Sequence, residues 1–179
     1  MPYSDATFDA EAEAFLRHNP HPRYLDIGPG AGKYGQMIKR LFPAATVEAI
    51  EADSSYISRF HLKSIYDKVY VGRAEAFFDK HPRYTTDIAI IGDTIEHLKK
   101  SDGIDLLHEL VYRTRWIVVI FPNKVVQYDW EGHVSEVHRS VWAPQDFSSF
   151  DFRHKRRGYM NFVTVRGYIG DPRAVVVEK

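Results

Sequence analysis

The sequence predicts a doubly wound, mostly parallel α/β sheet with helices on both faces, and three observations carry that expectation. Short apolar runs alternate with helix-like stretches over residues 22–123. Two of the runs are nearly continuous in apolar residues, the pattern of a parallel strand buried on both faces. A glycine-rich turn, Gly28-Pro29-Gly30-Ala31-Gly32, closes the first run and opens the first helical stretch after it.

In chain order, the strand-like runs are Tyr24–Ile27, Thr46–Ile50, Lys68–Val71, Asp87–Ile91 and Trp116–Phe121. The second alternates more than the others, and the fourth and fifth are the near-continuous ones. Between the first two, Met37, Ile38, Leu41 and Phe42 make one apolar stripe of a helix that Pro43 must stop. Between the fourth and fifth, Ile104, Leu107, Leu110 and Val111 make another. Such βαβα alternation implies right-handed crossovers that place helices on both sides of the sheet. Residues 124–145 break the rhythm. They are rich in aromatics, histidines and acids, and their length predicts a lid-like insertion rather than a tight connection. Ala143-Pro144-Gln145-Asp146-Phe147 then reads as a helix start, with proline first and an acid in the first turn. Three strand candidates follow, at 152–159, 161–169 and 174–177, and the pattern does not say which two pair.

The chain of 179 residues, 44% of them hydrophobic, suits a single domain, 1–179, with a real core. Its 24 basic and 24 acidic residues balance, so no overall field favours nucleic acid or an anionic membrane. The absence of cysteine excludes disulfides, thiolate metal sites and a cysteine nucleophile. The opening residues lack the basic and apolar regions of a secretory signal, and runs such as Ile117–Phe121 fall well short of the roughly 20 residues that span a bilayer. The expectation is a cytoplasmic protein that uses no membrane.

The glycine turn allows close approach of a ligand, and N–H groups at the helix start favour an anionic group such as a carboxylate. A dinucleotide site would want its third glycine one residue later, where Lys33 stands. Asp26, just ahead of the turn, would repel a pyrophosphate and suits an ammonium instead. Asp26-x-Gly28-x-Gly30-x-Gly32 resembles the first motif of the class I S-adenosylmethionine (SAM)-dependent methyltransferases, small-molecule type. That resemblance implies a seven-stranded Rossmann-like sheet and SAM as cofactor. Glu51, closing the second strand, stands where that family holds the ribose hydroxyls, and a carboxylate can accept from both. Arg73 and Ala74 stand where the family contacts adenine, although Arg73 replaces the usual acid. Asp93-Thr94-Ile95-Glu96-His97-Leu98 is similar to the acid-x-x-Glu-His-Leu stretch found near the methyl group. The cofactor residues so implied are Asp26, Gly28, Gly30, Gly32, Glu51, Arg73, Ala74 and Asp93.

Methyl transfer requires an acceptor held in line and, for a hydroxyl, a base. Asp93, Glu96, His97, His133, Glu136 and His138 are the titratable candidates. His138, His97 and Asp93 are expected to be catalytic, with His138 the foremost base because histidine titrates near neutrality. His138 can equally order the insertion through the backbone. Glu96, His97, His133 and His138 offer nitrogen and oxygen ligands, but no tight His-x-x-x-His pair is present and no metal is expected. The basic run 153–157 can grip phosphates, though a solvated strand face is the simpler reading. Tyr128, Trp130, Trp142 and Tyr159 suit either an acceptor pocket or the core of the insertion. The expected activity is methylation of an oxygen or nitrogen of a small-molecule acceptor. An RNA or protein methyltransferase, a nucleotide-dependent oxidoreductase and a catalytically silent SAM-binding protein remain alternatives, and the oligomeric state is open.

Overall fold

A computed structural model describes residues 2–174. Its seven strands are β1 (Arg23–Ile27), β2 (Thr46–Glu51), β3 (Lys68–Val71), β4 (Ile88–Gly92), β5 (Trp116–Pro122), β6 (Phe152–Arg157) and β7 (Met160–Arg166). They form one sheet in the order β3-β2-β1-β4-β5-β7-β6. The first five are parallel, and β7 joins β5 antiparallel, with β6 beyond it as an antiparallel edge. The terminal pair is therefore made by the 152–159 and 161–169 candidates. The third candidate, 174–177, falls almost entirely outside the described residues.

The near-continuous apolar runs are explained by two cores, one on each face. On β4, Ala89 and Ile91 enter one cluster, while Ile88 and Ile90 enter the other. On β5, Ile117, Val119 and Phe121 alternate in the same way with Val118 and Ile120. Strand side chains have period two, so a strand covered on both faces must be apolar at successive positions. Helix α1 (Asp9–His18) and helix α2 (Lys33–Leu41) cover one face through Leu16, Met37 and Ile38. Helix α5 (Lys100–Arg113) covers the other through Leu106, Leu107, Leu110 and Val111. Two short helices, α3 (Ser54–Arg59) and α4 (Phe77–Lys80), follow β2 and β3.

Residues 124–145 contain no strand of the sheet. They run as irregular chain with a tight turn between Trp130 and His133 and a 3₁₀ turn at Val134–Glu136, and are tied down by backbone bonds. Arg139 N–H and Ser140 N–H both donate to the Glu96 carbonyl, at 2.8 and 3.1 Å. Trp142 is fully buried against Gly103 of α5, where a Cβ would sit 2.5 Å from its ring. Its indole N–H donates to the Ile95 carbonyl at 3.1 Å, which pairs the polar tip of a ring buried to the full. Of the four aromatics weighed for an acceptor pocket, Trp142 thus belongs to the core. Tyr128 and Tyr159 are exposed, and Trp130 packs against Tyr3 and the Arg59 guanidinium. The expected helix start at 143–147 is a single 3₁₀ turn, Pro144–Phe147, whose Asp146 carboxylate accepts from Ala143 N–H at 2.7 Å. The basic run lies on β6 with most of its side chains exposed, as charges on an edge strand do. Among the described residues, no helix is long and apolar enough to cross a membrane.

Candidate active site

The carboxyl ends of β1, β2 and β4 meet at the point where the strand order reverses, and open α/β sheets place ligands there. A cavity of about 540 Å³ lies at this point. Its wall includes Gly28, Gly30, Glu51, Arg73, Ala74, Asp93 and His97. The 3₁₀ turn and chain at 134–139 close one side. The volume and the mixture of apolar wall with a few convergent polar groups match a small-ligand site.

The glycine turn is shaped by two close approaches. Gly28 has φ +70°, and a Cβ there would lie 2.4 Å from the Thr94 side chain, whose hydroxyl donates to the Gly28 carbonyl at 3.2 Å. Gly30 has φ +50°, and a Cβ there would lie 2.4 Å from the Pro2 carbonyl. That carbonyl accepts from Ala31 N–H at 2.8 Å, while Gly30 N–H points to Glu51 Oε2 at 3.4 Å. Both loop donors therefore have partners within the chain, in place of the open anion cradle expected from the sequence. The N-terminal segment forms part of the cavity wall through Pro2 and Ser4. Lys33 holds it by donating to the Asp5 carbonyl at 2.7 Å.

Glu51 ends β2 only 5% exposed, its Oε1 accepting from Asp53 N–H at 2.8 Å. Burial pushes its carboxyl up to about 7, against the pull of the Asp53 and Gly30 N–H groups. Asp26 and Gly32 lie off the cavity wall. Asp26 is buried beneath the turn, where its carboxylate accepts from the Tyr66 hydroxyl at 2.6 Å, and burial raises it to about 6. Arg73 is half exposed and paired with Glu75, leaving Ala74 the more buried of the two positions at the end of β3.

Asp93 follows β4 with φ +50°, a conformation that side-chain-bearing residues rarely adopt and that concentrates at functional sites. Its carboxylate accepts from Asp5 N–H at 2.8 Å, and burial raises it to about 7. His97 lies on the 3₁₀ turn Ile95–His97, and burial lowers it to about 4, so its ring is neutral at pH 7. His138 stands behind the wall, with its ring centroid 4.8 Å from that of His97. His138 Nδ1–H donates to the Val125 carbonyl at 2.8 Å, so the backbone-ordering role considered for it is present. Glu96 is 2% exposed, and burial, then the nearby Asp93 charge, raises its carboxyl. Glu96, His97 and His138 each offer a ligand atom within 4.8 Å of one another. His133 is diverted from this group and binds Asp53 through Nδ1 at 2.6 Å. Spacing along the chain does not bring Glu96, His97, His133 and His138 together, and folding does so for three of the four.

Two further residues at the site carry no sequence signal. Tyr56 of α3 lines the cavity and donates to Glu136 Oε1 at 3.0 Å, joining α3 to the 134–136 turn. Pro2 reaches the turn from ahead of α1 and β1, through a contact that no local pattern encodes.

No family model and no curated protein matches the sequence. Solved structures do. The N-terminal domain of EvdMO1, crystallised with S-adenosylhomocysteine (SAH) and D-fucose, superposes with a TM-score of 0.68 at 12% identity, over 93% of this chain and 85% of that one. The methyltransferase domain of bacterial CtHen1 gives 0.64 at 15% identity, over 88% of this chain and 95% of that one. A SAM-dependent methyltransferase from Archaeoglobus fulgidus gives 0.63 at 16% identity, over 88% and 93%. The chain has the fold of the class I SAM-dependent methyltransferases.

Proposed function

We propose that the protein is a SAM-dependent methyltransferase acting on an oxygen or nitrogen of a small-molecule acceptor. The observation that carries this reading is Glu51, a nearly buried carboxylate ending β2 on the cavity wall beside the glycine turn. A carboxylate so placed accepts from a vicinal diol. The SAH in the EvdMO1 structure supports the same cofactor here. The residues fit the group: Glu51 for the ribose, Gly28 and Gly30 for close backbone approach, and Ala74 and Arg73 beside the base. When bound, SAM supplies an electrophilic methyl on a sulfonium.

The remaining work belongs to the chain. Asp93 and His97 face the cavity after β4 and border the space for an acceptor. A carboxyl raised to about 7 can take up a proton near neutrality, which assigns the base role to Asp93. His97 is neutral at pH 7 and borders the same space. The 134–139 chain covers this side and limits water. The cavity's enclosure by Pro2, Ser4 and this segment suits a small acceptor better than a polymer.

Calorimetric titration with SAH, beside NAD, tests the reading. Saturable binding of SAH alone supports it and justifies an acceptor screen. Binding of NAD alone would make the turn a dinucleotide site and end the proposal.

A further inference from the structure

Glu96, His97 and His138 form a cluster whose arrangement exceeds what ordering the chain requires. Glu96 is 2% exposed, and its Oε2 has no hydrogen-bond partner among the described residues. A buried carboxyl oxygen left without a partner is unfavourable, so its retention here calls for a missing partner. Beside it stand two imidazoles whose Nδ1 atoms both meet backbone carbonyls, Val137 at 3.3 Å for His97 and Val125 at 2.8 Å for His138. A carbonyl only accepts, so each Nδ1 carries the hydrogen and each neutral ring keeps its lone pair on Nε2. His138 Nε2 lies 3.9 Å from Glu96 Oε1. Imidazoles oriented through Nδ1–H to a backbone carbonyl are the usual supporting arrangement of metal-binding histidines.

The scaffold is rigid in the same place. The Glu96 carbonyl accepts from Arg139 and Ser140, and Ile95 holds the buried Trp142, so the 95–97 turn and the 138–142 segment are fastened together. One ligand atom from each residue lies within 4.8 Å of the others. Ligands about 2 Å from a common ion stand about 3–3.5 Å apart, so closure needs side-chain adjustments of about an ångström.

We propose that Glu96, His97 and His138 bind a first-row divalent transition-metal ion through one carboxylate oxygen and two imidazole nitrogens. Two nitrogens and one oxygen suit manganese, iron, cobalt or zinc more than magnesium or calcium. Three protein ligands leave coordination positions free, and His97 places the site against the cavity. The role of the ion rests on the methyltransferase reading: it binds an acceptor hydroxyl and lowers its pKa. The hydroxyl proton passes to the Asp93 carboxylate, and the oxygen forms a bond to the methyl carbon. The carbon–sulfur bond breaks with its electron pair returning to sulfur, which leaves SAH.

The test titrates chelator-stripped protein with Co(II), followed by its visible d–d absorption, and separately with SAH. One equivalent of Co(II), with a d–d band of nitrogen ligation, is expected. Its Kd should rise at least about tenfold in both His138→Gln and Glu96→Gln, while SAH binding by His138→Gln, whose side chain is off the cavity wall, stays as in the parent. Retained SAH binding also shows that this variant is folded. Absence of Co(II), Mn(II) and Zn(II) binding by protein that binds SAH overturns the metal site and leaves the cofactor reading intact. Metal binding unaffected by either substitution overturns it as well. Metal binding lost in the variants, by protein that never binds SAH, supports the metal site and sinks the cofactor reading.

Discussion

Replacing Glu51 by glutamine probes the cofactor site most directly. In the free protein the carboxylate accepts from Asp53 N–H at 2.8 Å and faces Gly30 N–H at 3.4 Å, with 5% of the residue exposed. Two ribose hydroxyls would donate to the same two oxygens on binding. The amide keeps one acceptor oxygen and turns the other into a donor, so one charge-assisted bond is lost. Such a bond contributes about 1.5–3 kcal/mol, which weakens SAH binding roughly ten- to over a hundredfold. Calorimetry reads the affinity, and urea unfolding guards against a damaged fold. Burial raises the Glu51 carboxyl to about 7, so at pH 8 the folded parent holds a costly desolvated charge. The neutral amide avoids that cost, and the variant should unfold at an equal or higher urea concentration. SAH lacking its 2′-hydroxyl provides the coupling test: its penalty should be large in the parent and small in the variant. A folded variant that binds SAH within twofold of the parent would show that Glu51 does not hold the ribose.

Binding and stability should both depend on pH. Burial raises Glu51 and Asp93 to about 7 and Asp26 to about 6, all above ordinary carboxylates. Raised acids bind protons more tightly when folded, so their stabilisation is full below about pH 4 and is lost as pH rises through 6–7. Hydroxyl donors from the ligand favour the charged form of Glu51, so the rise in Tm on adding SAH should grow from pH 5 to pH 8. A Tm shift that is flat over this range would contradict that placement. Trp142→Ala should cost about 3–5 kcal/mol in urea unfolding, because the ring is fully buried against Gly103 and Phe147. A loss under 1 kcal/mol would mean that the ring lies outside the core.

Much of the fold could be read from local pattern because burial on two faces writes itself into β4 and β5 as unbroken apolar runs. The expected boundaries of β3 are met residue for residue, and α2 ends at Leu41, ahead of the Pro43 expected to stop it. The helix expected after Ala143 shrank to one 3₁₀ turn because Phe147 is drawn into the core and Asp146 is engaged by the Ala143 N–H and by Lys100. Gly28, Gly30, Glu51, Ala74, Asp93 and His97 reach the cavity because strand ends and turns place them there by connectivity alone. Asp26 and Gly32 do not, since alternation on β1 turns Asp26 beneath the turn, towards Tyr66.

By itself the sequence determined the parallel sheet, the glycine turn and the acid after β2, all of which depend on short-range periodicity and chain order. Only the tertiary structure decided that His138 stands beside Glu96 and His97 while His133 turns to Asp53. It alone decided that Pro2 closes the glycine turn. Those contacts join segments far apart in the chain, and their geometry is set by how the 124–145 segment and the N-terminal residues pack over the sheet. Spacing along a sequence does not encode the distance between side chains on separate elements.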